Sequence, residues 1–130
     1  MKDSIADMIT RIFNASVSKK ESVVFTYSKL KLAILDVLLK EGFVKSFSKK
    51  GKKVVKYIEV VLIYDEDGRP KISGVKRVSK TSKRIYQKSK DLKPIKNGYG
   101  IAVISTPKGI MSDKVARTEH LGGEVLFKIW

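Results

Sequence analysis

Cysteine is absent from the 130 residues, and histidine occurs once, as His120. The first absence removes disulfides, thiolate nucleophiles and cysteine-ligated zinc together. The second leaves no histidine pair for a metal, and no conventional histidine-activated nucleophile. Proline is scarce, at three residues, and there is neither an internal repeat nor a low-complexity stretch. No apolar run approaches the roughly 18 residues of a membrane-spanning helix, so a membrane partner is not expected. The lack of cysteine suits a cytosolic protein. Acid is also in short supply: 13 Asp and Glu stand against 28 Lys and Arg, a formal charge of +15.

A positive surplus of that size repels itself in a compact fold and calls for a polyanionic partner. It is concentrated, because residues 45–96 hold 17 basic and 5 acidic side chains, a net of +12. Nucleic acid is the first candidate partner. Hydrophobic residues make up 42% of the chain, enough for an ordinary globular core.

The periodicities predict an α+β chain of two small lobes, divided within Asp65-Glu66-Asp67-Gly68-Arg69-Pro70 into 1–66 and 67–130. The first lobe reads α-β-α-β-β. Asp3 or Ser4 can cap a helix whose Ile5, Met8, Ile9, Ile12 and Ala15 share one face. A short strand follows at Val23-Val24-Phe25. Ser28 caps a second helix with an apolar stripe of Leu30, Ala33, Ile34, Val37 and Leu38, and Gly42 ends it. Strands over 43–47 and 54–64 flank a turn at Lys49-Lys50-Gly51-Lys52. The second lobe reads as mainly β, with short strands over 75–78, 84–87, 101–104 and 124–129 and one short helix over 112–119. Asn97-Gly98 and Gly122-Gly123 punctuate the strands.

No constellation suggests a reaction, a metal or a cofactor. His120 fits the last turn of the short helix, where a cationic group suits the C-terminal dipole. Asp65 and Asp67 lie in a polar turn, whereas acids tuned for proton transfer usually need burial. Gly98-Tyr99-Gly100 lacks the third glycine and the following helix of a dinucleotide fingerprint. Two alternatives to specific RNA binding remain. A generic DNA-compacting protein would share the charge, and an RNA-cleaving enzyme would have to use Glu124 and His120.

Several residues suit RNA. On a strand, Arg84 and Tyr86 share a face, so one can pair with phosphate while the other stacks on a base. Tyr86 could equally pack within the second lobe. Of Lys76 and Arg77, one is expected to point outward. Ser105-Thr106-Pro107-Lys108-Gly109 offers two hydroxyls for base edges or 2′-OH groups, a cation for phosphate, and a glycine that permits close approach. A plain structural turn is the competing reading. Lys29 and Lys31 flank the first turn of the second helix, which itself favours phosphate, though a solvent-facing role fits equally well.

Four blocks go beyond composition. They are Asp3 to Ala15; Gly74-Val75-Lys76-Arg77-Val78-Ser79-Lys80; Asn97-Gly98-Tyr99-Gly100-Ile101-Ala102; and Ile104-Ser105-Thr106-Pro107-Lys108-Gly109-Ile110-Met111-Ser112-Asp113 with Ala116-Arg117 and Gly122-Gly123-Glu124-Val125-Leu126. In order and over the whole chain, they resemble the small-subunit ribosomal protein S-eight family of the bacterial type. That resemblance implies a two-lobed α+β fold and a non-enzymatic, primary binder of 16S ribosomal RNA. Such a protein recognises a central-domain helix, assists small-subunit assembly among neighbouring ribosomal proteins, and resides in the cytoplasmic ribosome. Members can also repress their own operon by binding a similar messenger structure.

Carried onto this chain, the resemblance makes Ser105, Thr106, Lys108 and Gly109 the main minor-groove site. Tyr86 and Glu124 lie beside it, Gly122 and Gly123 permit approach, and Lys29 and Lys31 hold phosphates. Two positions depart from the family pattern. Pro107 replaces a common serine, losing a hydroxyl and an N–H, and Phe13 replaces a common arginine.

Overall fold

The computed structural model describes residues 3–51 and 55–130, which group into two compact units, Asp7–Ser73 and Met1–Ala6 with Gly74–Trp130. Helix α1 (Ser4–Val17) opens the chain, with Ile5, Met8, Ile9, Ile12 and Ala15 buried as their spacing predicts. Its cap is Asp3, whose Oδ1 accepts from the Ala6 N–H at 3.0 Å. The other carboxylate oxygen takes the Arg77 Nε–H at 2.9 Å, and Arg77 also donates to the Leu126 carbonyl.

Burial pushes the Asp3 carboxyl up, but the hydrogen bonds from Arg77 and the first-turn amides, together with the Arg77 charge, outweigh it. The net folded-state pKa lies below the ordinary 3.8. A depressed carboxyl pKa contributes stability that is complete above the ordinary value and is lost as pH falls through the folded value. Asp3→Asn keeps a capping oxygen and removes the charge. The variant is expected to be about 1 kcal/mol less stable than wild type at pH 7. In denaturation series, that gap should close as pH falls below about 4; a gap undiminished at pH 2 would contradict the assignment.

The unit Asp7–Ser73 carries a three-stranded antiparallel sheet in the order β1-β3-β2, from β1 (Ser22–Thr26), β2 (Val44–Gly51) and β3 (Lys56–Leu62). Helix α2 (Lys29–Lys40) precedes β2, and Ser28 accepts from the Lys31 N–H at 3.0 Å as its cap. The buried stripe is Ile34, Leu35, Val37 and Leu38; Leu30, expected inside, is exposed in the first turn. Gly42, at φ +80°, closes the helix, and the Phe43 N–H reaches back to the Leu38 carbonyl at 2.8 Å. The expected order α-β-α-β-β therefore forms, with two local differences. Phe43 belongs to the helix closure rather than to a strand. Lys49, Lys50 and Gly51 extend β2 instead of turning, because Ser48, Lys49, Lys50 and Gly51 all find partners in β3. Lys52, expected in that turn, and Val54, expected to begin the next strand, lie outside the described residues. The acidic run at 65–70 is a tight turn in which Asp65 Oδ1 accepts from the Asp67 and Arg69 N–H groups at 2.9 and 2.8 Å.

The second unit is built on an antiparallel sheet of five strands. They are β4 (Val75–Arg77), β5 (Tyr86–Gln87), β6 (Ile101–Thr106), β7 (Gly109–Ser112) and β8 (Gly123–Ile129). Strand β8 is central, pairing with β4 and β5 on one side and β6 on the other, while β7 pairs with β6. Helix α3 (Asp113–Thr118) is capped by Ser112, which accepts from the Val115 N–H. Its Ala116 joins Leu92, Ala102, Ile104 and Val125 in a buried cluster. The unit is mainly β with one short helix, as the patterns predict.

The strand expected over 84–87 shrinks to two residues. The buried Ser79 hydroxyl accepts from the Ile85 N–H at 2.8 Å and donates to the Ile85 carbonyl at 3.2 Å, so the preceding segment is pinned as a loop. Strand β7, which no local pattern announces, exists because the chain doubles back after Pro107 and Lys108.

Candidate nucleic-acid interface

At one end of the five-stranded sheet, three strands bring the expected residues into one row. Ser105 of β6 pairs with Glu124 of β8, and Glu124 pairs with Tyr86 of β5. Directly paired residues in an antiparallel ladder project to the same face, so all three side chains rise from one surface. The Tyr86 ring is 69% exposed, which rules out packing inside the lobe. Arg84, two residues earlier in the loop before β5, holds the Glu124 carboxylate with Nη1 at 3.1 and 3.3 Å. This pair compensates the charge of the carboxylate on the row. The guanidinium is half exposed and keeps further N–H groups for phosphate.

Ser105 and Thr106 close β6 and alternate between its faces. Thr106 shares the face of Ala102 and Ile104 and is buried. Its hydroxyl donates to the Gly109 carbonyl at 2.8 Å and accepts from the Lys108 N–H at 3.2 Å. It therefore shapes the hairpin whose tip exposes Pro107, Lys108 and Gly109. No side-chain hydrogen bond to the described residues engages the Ser105 hydroxyl, which remains available on the outer row. Gly109, at φ +123°, occupies backbone space that favours glycine.

The paired glycines answer to the protein's own backbone. A Cβ on Gly123 would lie 2.1 Å from the Ser105 carbonyl oxygen, and one on Gly122 would lie 2.5 Å from that of Gln87. Their absent side chains let β5 and β6 close on β8, which brings Tyr86 and Ser105 to either side of Glu124. Beside the row lies an open groove of about 510 Å³ lined by Tyr86, Lys88, Ser89, His120 and the Gly122–Gly123 backbone. Lys88 and His120 were not among the expected binding residues; Lys88 follows Tyr86 by two positions, and only the groove makes His120 its neighbour. His120 sits one residue past the α3 cap in left-handed conformation, φ +57°, a position that glycine usually fills.

The other expected cations lie elsewhere. Arg77 is 13% exposed at its side chain and is held by Asp3, so the outward member of that pair is Lys76. Lys29 is exposed at the N-terminus of α2, in the other unit. Lys31 turns back, its Nζ donating to Thr26 Oγ1 at 2.9 Å and to the Thr26 carbonyl at 3.2 Å. Among the described residues, no group of three acidic or histidine side chains is placed to hold a metal ion, and no helix is long and apolar enough to cross a membrane.

Residues 3–130 match the family model described as Ribosomal protein S8. The chain is similar over its full length to small ribosomal subunit protein uS8 of Rickettsia massiliae, at 47% identity covering 98% of that protein. It is likewise 48% identical to the protein of that name from Rickettsia rickettsii, covering 98% of it, and 43% identical to that of Helicobacter pylori, covering 99%.

Proposed function

The chain belongs to the ribosomal protein S8 family, and from that premise we propose that it is a non-enzymatic constituent of the small ribosomal subunit that binds 16S ribosomal RNA and assists assembly. The observation that carries the proposal is the row Tyr86–Glu124–Ser105 beside an exposed Lys108, on a chain of net charge +15. The row is a shallow surface suited to the wide minor groove of an RNA helix, where 2′-OH groups and base edges are displayed. Ser105 can donate to or accept from either. Glu124 accepts from an amino or hydroxyl donor while Arg84 neutralises it, and Tyr86 offers a ring face for an unpaired base. Lys108 and Arg84 meet phosphates, which contribute affinity without sequence information.

The test uses a central-domain rRNA helix and an unrelated duplex RNA. Ser105→Ala is expected to weaken the cognate helix by about 1–3 kcal/mol and to leave the other nearly unchanged. Lys108→Ala is expected to weaken both and to reduce the salt slope of binding by about one unit. Equal loss on both RNAs for Ser105→Ala would remove specificity from the hydroxyl row. Duplex DNA binding as tightly as the rRNA helix would favour a DNA-compacting protein instead.

Residence in the cytoplasmic ribosome beside other small-subunit proteins belongs to the same proposal. So does repression of the chain's own operon. A messenger segment folded like the rRNA helix would meet the same residues, so it should compete with that helix and lose affinity in Ser105→Ala.

A further inference from the structure

Tyr99 is the most exposed large hydrophobic side chain among the described residues, at 84%, and it stands on a rigid turn. The Gly98 and Gly100 N–H groups both donate to the Ile95 carbonyl, at 2.9 and 3.0 Å, and the Tyr99 N–H donates to the Lys96 carbonyl at 3.1 Å. Asn97 and Gly98 both take positive φ, which folds the turn tightly. From α3, Lys114 Nζ donates to the Gly98 carbonyl at 3.1 Å. Beneath the turn lies Trp130, with Lys96 Nζ 4.8 Å from its ring centroid; a Cβ on Gly100 would lie 2.8 Å from the Trp130 Cβ. The backbone is thus fixed from three directions while the tyrosine ring is left in solvent. Two of those fixings bring an ammonium group to the turn.

An exposed aromatic ring on a rigid turn that also carries a lysine has the features of a base-stacking platform, since every nucleobase presents a π-face and its phosphate suits a cation. We propose that Tyr99, with Lys96 of the same turn, stacks on an unpaired base of a second RNA segment, distinct from the one met by Ser105. This rests on the reading of the chain as an RNA binder. Position on the sheet separates the two segments. Ile101 opens β6 and Ser105 lies four residues along it, about 13 Å away at the rise of a strand, and Tyr99 lies beyond Ile101. One sheet would then hold two RNA elements in fixed relation, which is a physical route to organising RNA during assembly.

The experiment compares full-length wild type, Tyr99→Ala, Tyr99→Phe and Ser105→Ala on two RNAs: the isolated central-domain helix, and a longer rRNA fragment carrying that helix with its flanking unpaired segments. Tyr99→Ala is expected to lose about tenfold in affinity for the longer fragment and nothing for the isolated helix. Tyr99→Phe should keep near wild-type affinity, because the ring remains. Ser105→Ala should weaken both. Photocrosslinking to the longer fragment should place a nucleotide adduct on the peptide containing Tyr99. Wild-type affinity of Tyr99→Ala for the longer fragment, with Ser105→Ala still defective, overturns the second site and leaves the first standing. So does a Tyr99 crosslink in assembled subunits that goes only to another protein. Failure of wild type to bind either RNA overturns the parent reading and this proposal together.

Discussion

Gly123→Ala is expected to lower affinity for the cognate RNA helix by more than tenfold and to destabilise the protein by about 3 kcal/mol. The added methyl would lie 2.1 Å from the Ser105 carbonyl oxygen, 2.8 Å from its carbonyl carbon and 3.1 Å from the Thr106 Cα. These are backbone atoms of a paired strand, so no side-chain rotation relieves the clash. Either β6 withdraws from β8 or the end of the ladder opens, and both separate Ser105 from Glu124. Denaturant unfolding and RNA binding measured on the same preparation check the two parts. Wild-type binding by a folded Gly123→Ala protein would show that the spacing of the row does not govern recognition. The substitution separates close packing from charge, because it leaves every cation in place.

The second large effect is expected at Asp113, the first residue of α3, which is 1% exposed. One carboxylate oxygen accepts from the Ala102 N–H in β6 at 2.8 Å, and the other takes the Arg117 guanidinium one helical turn along. The residue thus ties strand to helix, and its charge also suits the helix N-terminus. Asp113→Ala leaves a buried N–H without an acceptor and a guanidinium without its partner. Because Arg117 is partly exposed, the cost falls at the low end of buried-pair disruption, about 3 kcal/mol. Asp113→Asn keeps an acceptor for Ala102 and should cost about 1–2 kcal/mol. Unfolding midpoints in the order wild type, Asn, Ala are the expected result. Indistinguishable Asn and Ala variants would assign the whole effect to the ion pair.

Elements whose causes are local were legible in the chain. The stripe of α1, the Ser28 cap and the closure at Gly42 all depend on residues spaced about a helical turn apart along the chain. The hydroxyl, lysine and glycine of the 105–109 hairpin were recognisable for the same reason, and so was the need for a polyanion, since net charge requires no fold.

What pairing decides could not be read locally. Glu124 lies 40 residues from Arg84, and nothing in either neighbourhood announces their ion pair. The choice of Lys76 over Arg77 as the outward cation depends on Asp3, 74 residues away from Arg77. That β5 and β6 crowd Gly122 and Gly123 is likewise a matter of pairing, which the two glycines alone do not announce. Composition and short-range spacing therefore determined that this is an α+β chain that calls for a polyanion and carries a hydroxyl-bearing loop. Strand register alone decided that Ser105 faces outward, that Thr106 braces the turn, and that Tyr86 and Glu124 complete the row. Register is set where distant segments exchange backbone hydrogen bonds, and a one-residue slip would send each side chain to the opposite face.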